Sequence, residues 1–460
     1  MKKLLSNLLI LFVIFVMPLT SVAEPKPGII IVQPHYDYLG LFKEDLAIVG
    51  IDKKYGFINK DGNEITKLEY QLAGNFNKGL AIVKKNGKYG YIDKTGKEVI
   101  KPQFDTAYDF YGKYAIVVKN KKYGFIDKKG KVVIKIQYNS ADIFSEGRAA
   151  VKVKDKWGYI DEKGKTVVKP AYDRAYHFSN SLAKVVVYSK NGDGGKCGYI
   201  DKNGKLVIPI KYGYDFDENM AENEKDPYKY YGEFTSSIAQ VHINGLVGYI
   251  NTKGKEISKP QYGFYSQDFE NGCAIIEKNG KYGIINTSGK ELVKPVYSEI
   301  DPFKEGLARA TLNKSTVFLD KTAKVVLKPE YDYVGEFYNG FAQCSIEGKY
   351  GYIDKNGKEV IAPAYESAGT FNNGLALVKK DGKSNFIDIS GNVVISPEYA
   401  DAANFSEGYS AVAKDNKYGY IDTTGNEVVS PAYDEAYDFV GDIGIIVKDN
   451  KLGYVYIKKS

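Results

Sequence analysis

Residues 81–104 read AIVKKNGKYGYIDKTGKEVIKPQF, and the line returns at 115–138 as AIVVKNKKYGFIDKKGKVVIKIQY and at 149–172 as AAVKVKDKWGYIDEKGKTVVKPAY. A fixed step of 34 residues constrains the fold more than any other feature of the chain. Each copy has to be one small element that buries its apolar face against its neighbours. Four anchors set the register. A Phe recurs twelve times, from Phe42, Phe76 and Phe110 to Phe405 and Phe439. An aromatic precedes it each time, Tyr everywhere except Phe104. A Gly such as Gly90 or Gly158 stands before an aromatic-Ile-Asp triplet, and Val317 and Asn385 replace it in two copies. A turn Gly follows, such as Gly96 or Gly130, with Ala323 as the exception. Insertions near 188–196 and between Tyr212 and Phe234 break the step, in connections where additions are tolerated.

Each copy reads as strands. Leu80-Ala81-Ile82-Val83 is a short apolar run, and Asn86-Gly87 is the favoured pair for a two-residue hairpin. Tyr89 to Asp93 alternates with period two, so Tyr89, Tyr91 and Asp93 are expected on one side and Gly90 and Ile92 on the other. Asp93 to Gly96 is a turn, because Asp bonds the backbone two residues on and Gly takes the left-handed position. Glu98-Val99-Ile100 is the third strand, which Pro102 is expected to end or edge. Residues 103–110 carry Phe104 and Phe110 over the end of the copy, with a short fourth strand as one option. The missing Cβ at Gly90 admits a ring or a neighbouring backbone. A lone meander is marginal; stacked copies with Phe and Tyr wedged between them are not.

The start, MKKLLSNLLILFVIFVMPLTSVAE, has a basic beginning, an apolar run and Ser21-Val22-Ala23. It reads as a signal peptide over 1–23, followed by a short linker at 24–28. Repeats 1–5 and the start of 6 fill 29–212, an acidic, Tyr-rich insertion takes 213–233, and repeats 6–12 run over 234–460. The expected product is exported, secreted or held at the cell envelope, with no membrane span once the signal is gone. Three scattered Cys are no disulfide framework. Lysines are spread through the copies and matched by acids, and a pI of about 8.7 gives no reason to expect nucleic acid.

Lines such as KWGYIDEKGKTVVKPAYDRAYHF at 156–178 and KYGYIDKNGKEVIAPAYESAGTF at 349–371 resemble the bacterial WG-containing repeat family. The naming Trp-Gly pair survives as Trp157-Gly158; Tyr holds the Trp place in six copies, and Cys197, Val247, Thr316, Ser384 and Leu452 depart from it. The resemblance implies a β-rich tandem array, often exported, with no catalytic residues to carry over.

The residues themselves give no catalytic set. His35, His177 and His242 sit in different phases of the repeat, and no Cys/His pair has metal spacing. The Asp or Asn recurring after the Ile, from Asn59 and Asp93 to Asp422, suits turns better than paired acids, since Asn substitutes freely. The acids at 215–226 lack an EF-hand spacing, and NGDGG at 191–195 lacks the strand-to-helix context of a phosphate loop. No cofactor or metal is expected. The candidate binding residues are paired aromatics: Tyr89 with Tyr91, Tyr123 with Phe125, Trp157 with Tyr159, Tyr350 with Tyr352, and Tyr418 with Tyr420. They form an exposed ladder for sugars or proteins if that strand face is open, and core if it is closed.

The expected architecture is all-β, about twelve tandem meanders of three or four antiparallel strands in a superhelical, solenoid-like array, with one or two β-propellers as the alternative. The expected function is a non-enzymatic binding or scaffold module for cell-wall glycan or an envelope or extracellular protein. The alternatives are an enzyme with its site on the irregular stretch 186–234 and a passive surface spacer.

Overall fold

The computed structural model describes residues 28–190, 194–214, 234, 237–395 and 399–458. The expected signal segment, most of the acidic insertion and part of the NGDGG loop lie outside these residues. The described chain is all strand and turn, and small antiparallel sheets follow one another along it. In the second unit the strands are Leu72–Ala73, Leu80–Lys85, Lys88–Asp93 and Glu98–Phe104. They pair in chain order, as in most units. In the fifth and sixth units they merge into one seven-stranded sheet, because the strand Leu206–Tyr214 runs on and Gly213 pairs with His242.

Local chemistry accounts for the elements. Asn86 and Gly87 turn the first hairpin at φ 52° and 75°, the left-handed values that a two-residue loop needs. Asp93 turns the second, its carboxylate accepting the backbone N–H of Thr95 at 2.9 Å and of Lys97 at 3.1 Å. Pro102 does not end the fourth strand. Tyr91 pairs with Ile100 and Tyr89 with Phe104, so the residues between form a bulge, where a ring without an N–H costs no ladder bond. The short strand expected to close each copy belongs to the next sheet instead: Thr106 pairs with Val118.

Gly90 is required because the bulged strand presses on it. A Cβ there would lie 2.4 Å from the Ile100 carbonyl oxygen and 2.6 Å from Pro102 N. A unit without this Gly shows the consequence. Beside Val317 the fourth strand shrinks to Val325–Leu327, three residues instead of seven.

Units meet through the recurring Phe. Phe110 rests on Tyr91 of the preceding unit with ring centroids 5.1 Å apart, Phe178 on Tyr159 at 5.1 Å, and Phe371 on Tyr352 at 4.6 Å. Around each pair sits an apolar cluster drawn from two units, such as Leu80, Ile100, Phe104, Val117 and Ile126. Burying each large side chain contributes about 1.5–3 kcal/mol, so stability resides in the seams. Acidic residues tie the seams outside. Glu44 accepts the N–H of Gly79 at 3.0 Å and pairs with Lys94 at 3.1 Å, both from the next unit; Glu146 and Glu305 do the same further on.

The tandem array of meanders is therefore present, and its two ends are joined. Ile29–Tyr36 pairs antiparallel with Lys451–Ile457 and supplies the last unit's fourth strand, with the usual bulge between Val32 and Tyr36. The first and last units then form a seam like any other. Phe42 packs on Tyr454 at 5.0 Å, Gly62 lies against Val32, Lys60 pairs with Asp442 at 2.9 Å, and Asp37 pairs with Lys451. Among the described residues no sheet closes into a barrel; the solenoid-like row of sheets closes instead, as one circuit rather than two of six.

Candidate functional site

The two rings of each third-strand pair have different fates. Tyr91, Phe125, Tyr159, Tyr352 and Tyr420 are at most 1% exposed, each beneath the Phe of the following unit. Their hydroxyls, where present, bond backbone carbonyls of that unit: Tyr91 to Tyr108 at 2.8 Å, Tyr159 to Tyr176 at 2.8 Å, Tyr352 to Gly369 at 2.6 Å. Burial pushes the phenols of Tyr91, Tyr159, Tyr352 and Tyr420 far above the ordinary value. These rings are seam core. Tyr89, Tyr123, Trp157, Tyr350 and Tyr418 are half-buried, each opposite the aromatic that ends the fourth strand, as Tyr89 is to Phe104. An open face bearing both members of a pair does not form, because the next unit covers one of them.

The exposed rings lie elsewhere. Nine aromatic residues are exposed among those described, and eight fall in one part of the repeat, between the aromatic anchor and the residue after the Phe. They are Tyr38, Tyr108, Tyr111, Tyr333, Tyr338 and Tyr437, with Phe264 and Tyr265 in the seventh unit. This segment holds the short first strand and so forms one rim of the array. Contacts between successive units make it continuous: Lys78 lies over the Tyr111 ring at 5.5 Å, Asp142 faces His177 at 3.6 Å, and Lys304 reaches both Glu336 at 2.5 Å and the Tyr338 hydroxyl at 2.7 Å. Carboxylates set the rings: Tyr437 donates to Glu435 at 2.6 Å and Tyr338 to Glu336 at 3.0 Å. A cavity of about 320 Å³ opens on the rim at the seam of first and last units, lined by Leu41, Phe42, Lys60, Val440 and Asp442. Flat amphipathic rings among fixed carboxylates can stack on sugar faces and accept hydroxyl protons, or take a protein surface. The sequence did carry a signal for these residues: aromatics recurring in connection columns, outside the invariant anchors.

The other candidates resolve structurally. All eleven residues in the Asp/Asn column cap their own turn, Asp and Asn alike; Asn251 bonds the N–H groups of Lys253 and Lys255, both at 3.0 Å. Burial raises the thiols of Cys197 and Cys273, and that of Cys344 to about 11, away from thiolate chemistry. Among the described residues no group of three His, Cys, Asp or Glu is placed to hold a metal, and no helix is long and apolar enough to cross a membrane.

The turn carboxylates give a pH prediction. Asp93 and Asp320 are held below the usual range chiefly by the hydroxyls of Thr95 and Thr322, and Asp161 by the backbone N–H of Lys165. A carboxyl lowered in the folded chain stabilises it above the unfolded pKa, near 4, and that stabilisation disappears as pH falls through the folded value. Asn makes the same turn without titrating. The triple variant Asp93→Asn, Asp161→Asn, Asp320→Asn is expected to melt close to the parent at pH 7 and to lose less stability between about pH 4 and 2. Melting curves across that range decide it; parallel acid limbs would remove the turn acids from the account.

The profile of the WG containing repeat matches twelve times, at residues 28–55, 55–89, 89–123, 123–157, 157–190, 198–226, 248–282, 282–314, 318–350, 350–383, 386–418 and 418–451. The chain belongs to that family. No curated protein matches it. Solved structures show distant likeness. The extracellular domain of a putative hybrid two component system, BT3049 from B. thetaiotaomicron, is 11% identical at TM-score 0.25, over 90% of this chain and 74% of that one. PorZ, a surface component of the type-IX secretion system of Porphyromonas gingivalis, is 10% identical at TM-score 0.26, over 93% and 72%. A eukaryotic initiation factor is 10% identical at TM-score 0.30, over 78% and 97%. Likeness this distant carries no function across.

Proposed function

We propose that this WG-repeat protein is an exported, non-enzymatic binding or scaffold module that engages cell-envelope glycan or a protein partner through its first-strand rim. The observation that carries the reading is the concentration of exposed rings: eight of nine lie on that one rim, interleaved with carboxylates. Export rests on the leader-like first 23 residues. The rim repeats with the array, so binding is spread over several equivalent positions and lacks a unique reacting constellation.

The test is binding of the mature protein to isolated cell wall from its host, and to envelope proteins. The triple variant Tyr111→Ala, Tyr338→Ala, Tyr437→Ala is expected to bind at least about tenfold more weakly, at roughly 0.5–1.5 kcal/mol per ring. Tyr188→Ala, which removes the exposed ring off the rim, is expected to change little. Equal effects from both would remove the rim from the reading, and an absence of saturable binding would favour a spacer.

A further inference from the structure

The other edge of the array carries a pattern that the rim does not use. The residue after the turn Gly or Ala is Lys in eight consecutive units, from Lys97, Lys131 and Lys165 to Lys358, whereas three remaining units have Asn63, Asn392 and Asn426 there. A second column runs along the fourth strands as Lys101, Lys135, Lys169, Lys259, Lys294 and Lys328. All these lysines are exposed, and none forms an ion pair or side-chain hydrogen bond among the described residues. Lysines in other columns are neutralised: Lys88 by Asp105 at 2.5 Å, Lys156 by Asp173 at 2.6 Å, Lys355 by Glu305 at 2.9 Å.

The two edges are oppositely charged. From the turn to the aromatic anchor, units 2–9 contain 23 Lys and 12 Asp or Glu, six of the acids being the Asp that caps its own turn. From that anchor to the residue after the Phe, the eleven described rim segments contain 16 Asp or Glu and 3 Lys or Arg. The overall charge of +7 conceals this separation. Each turn rests on the fourth strand of the unit before it: a Cβ added at Gly130 would lie 3.1 Å from the Ile100 side chain, one at Gly164 3.1 Å from Ile134, and one at Gly204 2.8 Å from Val168. Lys131 follows Gly130 and Lys101 follows Ile100, so each of these seams brings members of both columns together and joins them into one strip.

We infer that the fourth-strand edge of units 2–9 is a track for a linear phosphate-bearing polymer. Like charges kept adjacent and unpaired repel one another, and an anion laid along them relieves the repulsion. The cations are Lys, with only three Arg in the whole chain, so recognition is by point charge rather than by forked geometry. The same residues recur at each step, in one dimension, which matches a chain of equal charges and not a single small anion.

Long-chain polyphosphate is the probe, with tripolyphosphate, phosphatidylglycerol vesicles and single-stranded DNA beside it. The intact protein is expected to bind long polyphosphate at least about a hundredfold more tightly than tripolyphosphate, with affinity falling steeply and log-linearly with salt. The variant Lys131→Gln, Lys165→Gln, Lys205→Gln, Lys255→Gln is expected to weaken this about tenfold or more. Lys54→Gln, Lys119→Gln, Lys349→Gln, Lys383→Gln makes the same charge change at exposed lysines off the strip, and is expected to weaken it less than about twofold. Equal losses would reduce the effect to net charge and overturn the track. Vesicles or DNA bound as tightly per phosphate would overturn its preference for a simple chain. The rim variant keeps polyphosphate binding if the track is real, so failure of one surface is distinguishable from failure of the other.

Discussion

A chain lacking residues 29–36 melts well below the intact protein and has a larger radius of gyration. The segment supplies the last unit's fourth strand and buries Tyr36 to 3% exposure, with Ile29, Ile31 and Val32 packed on either side of the junction. At about 1.5–3 kcal/mol for each well-buried side chain, the loss is at least roughly 5 kcal/mol. In a chain of this size that lowers the midpoint by roughly 5–10 °C. The third strand Lys451–Ile457 is left with an open edge, a template for pairing with other chains, so concentration-dependent association is expected too. Scanning calorimetry, small-angle scattering and sedimentation check the three effects. An unchanged midpoint and radius would mean that the ends do not meet.

The second large effect is at Gly158. A Cβ there would lie 2.4 Å from the Val168 carbonyl oxygen and 2.7 Å from Pro170 N, both backbone atoms that cannot swing aside. Gly158→Val is expected to force the strand Thr166–Tyr172 off its bulge and shorten it, as beside Val317. Tyr172 then loses its place opposite Trp157. The cost is about 3 kcal/mol, from strain and broken ladder bonds. Trp157 is the chain's single Trp, so its emission reports directly. A red shift with a lower urea midpoint is expected, and parent-like values for both would refute the packing account.

Much of this fold was legible because its causes are local. Asn86-Gly87, the Asp93 turn and the recurring Phe each act within one unit or across one seam, and the sequence shows them directly. The bulge at Pro102 was not legible, because a missing N–H looks the same at a strand end, an edge or a bulge until the partner strand is seen. Closure, in one ring or two, stayed an alternative to the open array, since it depends on small rotations accumulated over every seam. Its trace was there: Ile29–Tyr36 has the length and pattern of a fourth strand, and it pairs with the third strand Lys451–Ile457. The third-strand ladder failed as an open face for a related reason. Period two puts Tyr89 and Tyr91 on one side, but only the neighbour decides that Tyr91 is covered and that Tyr111 and Tyr437 are not.

An open stack can gain or drop a module during evolution at little cost, because only its last interface is disturbed. This molecule cannot do so freely: a thirteenth copy would oblige every junction to turn slightly less, and a lost copy would oblige each to turn more, before Tyr36 could again sit opposite Leu452. Descendants of such a chain are expected to vary in their connecting loops while keeping the tally of copies constant.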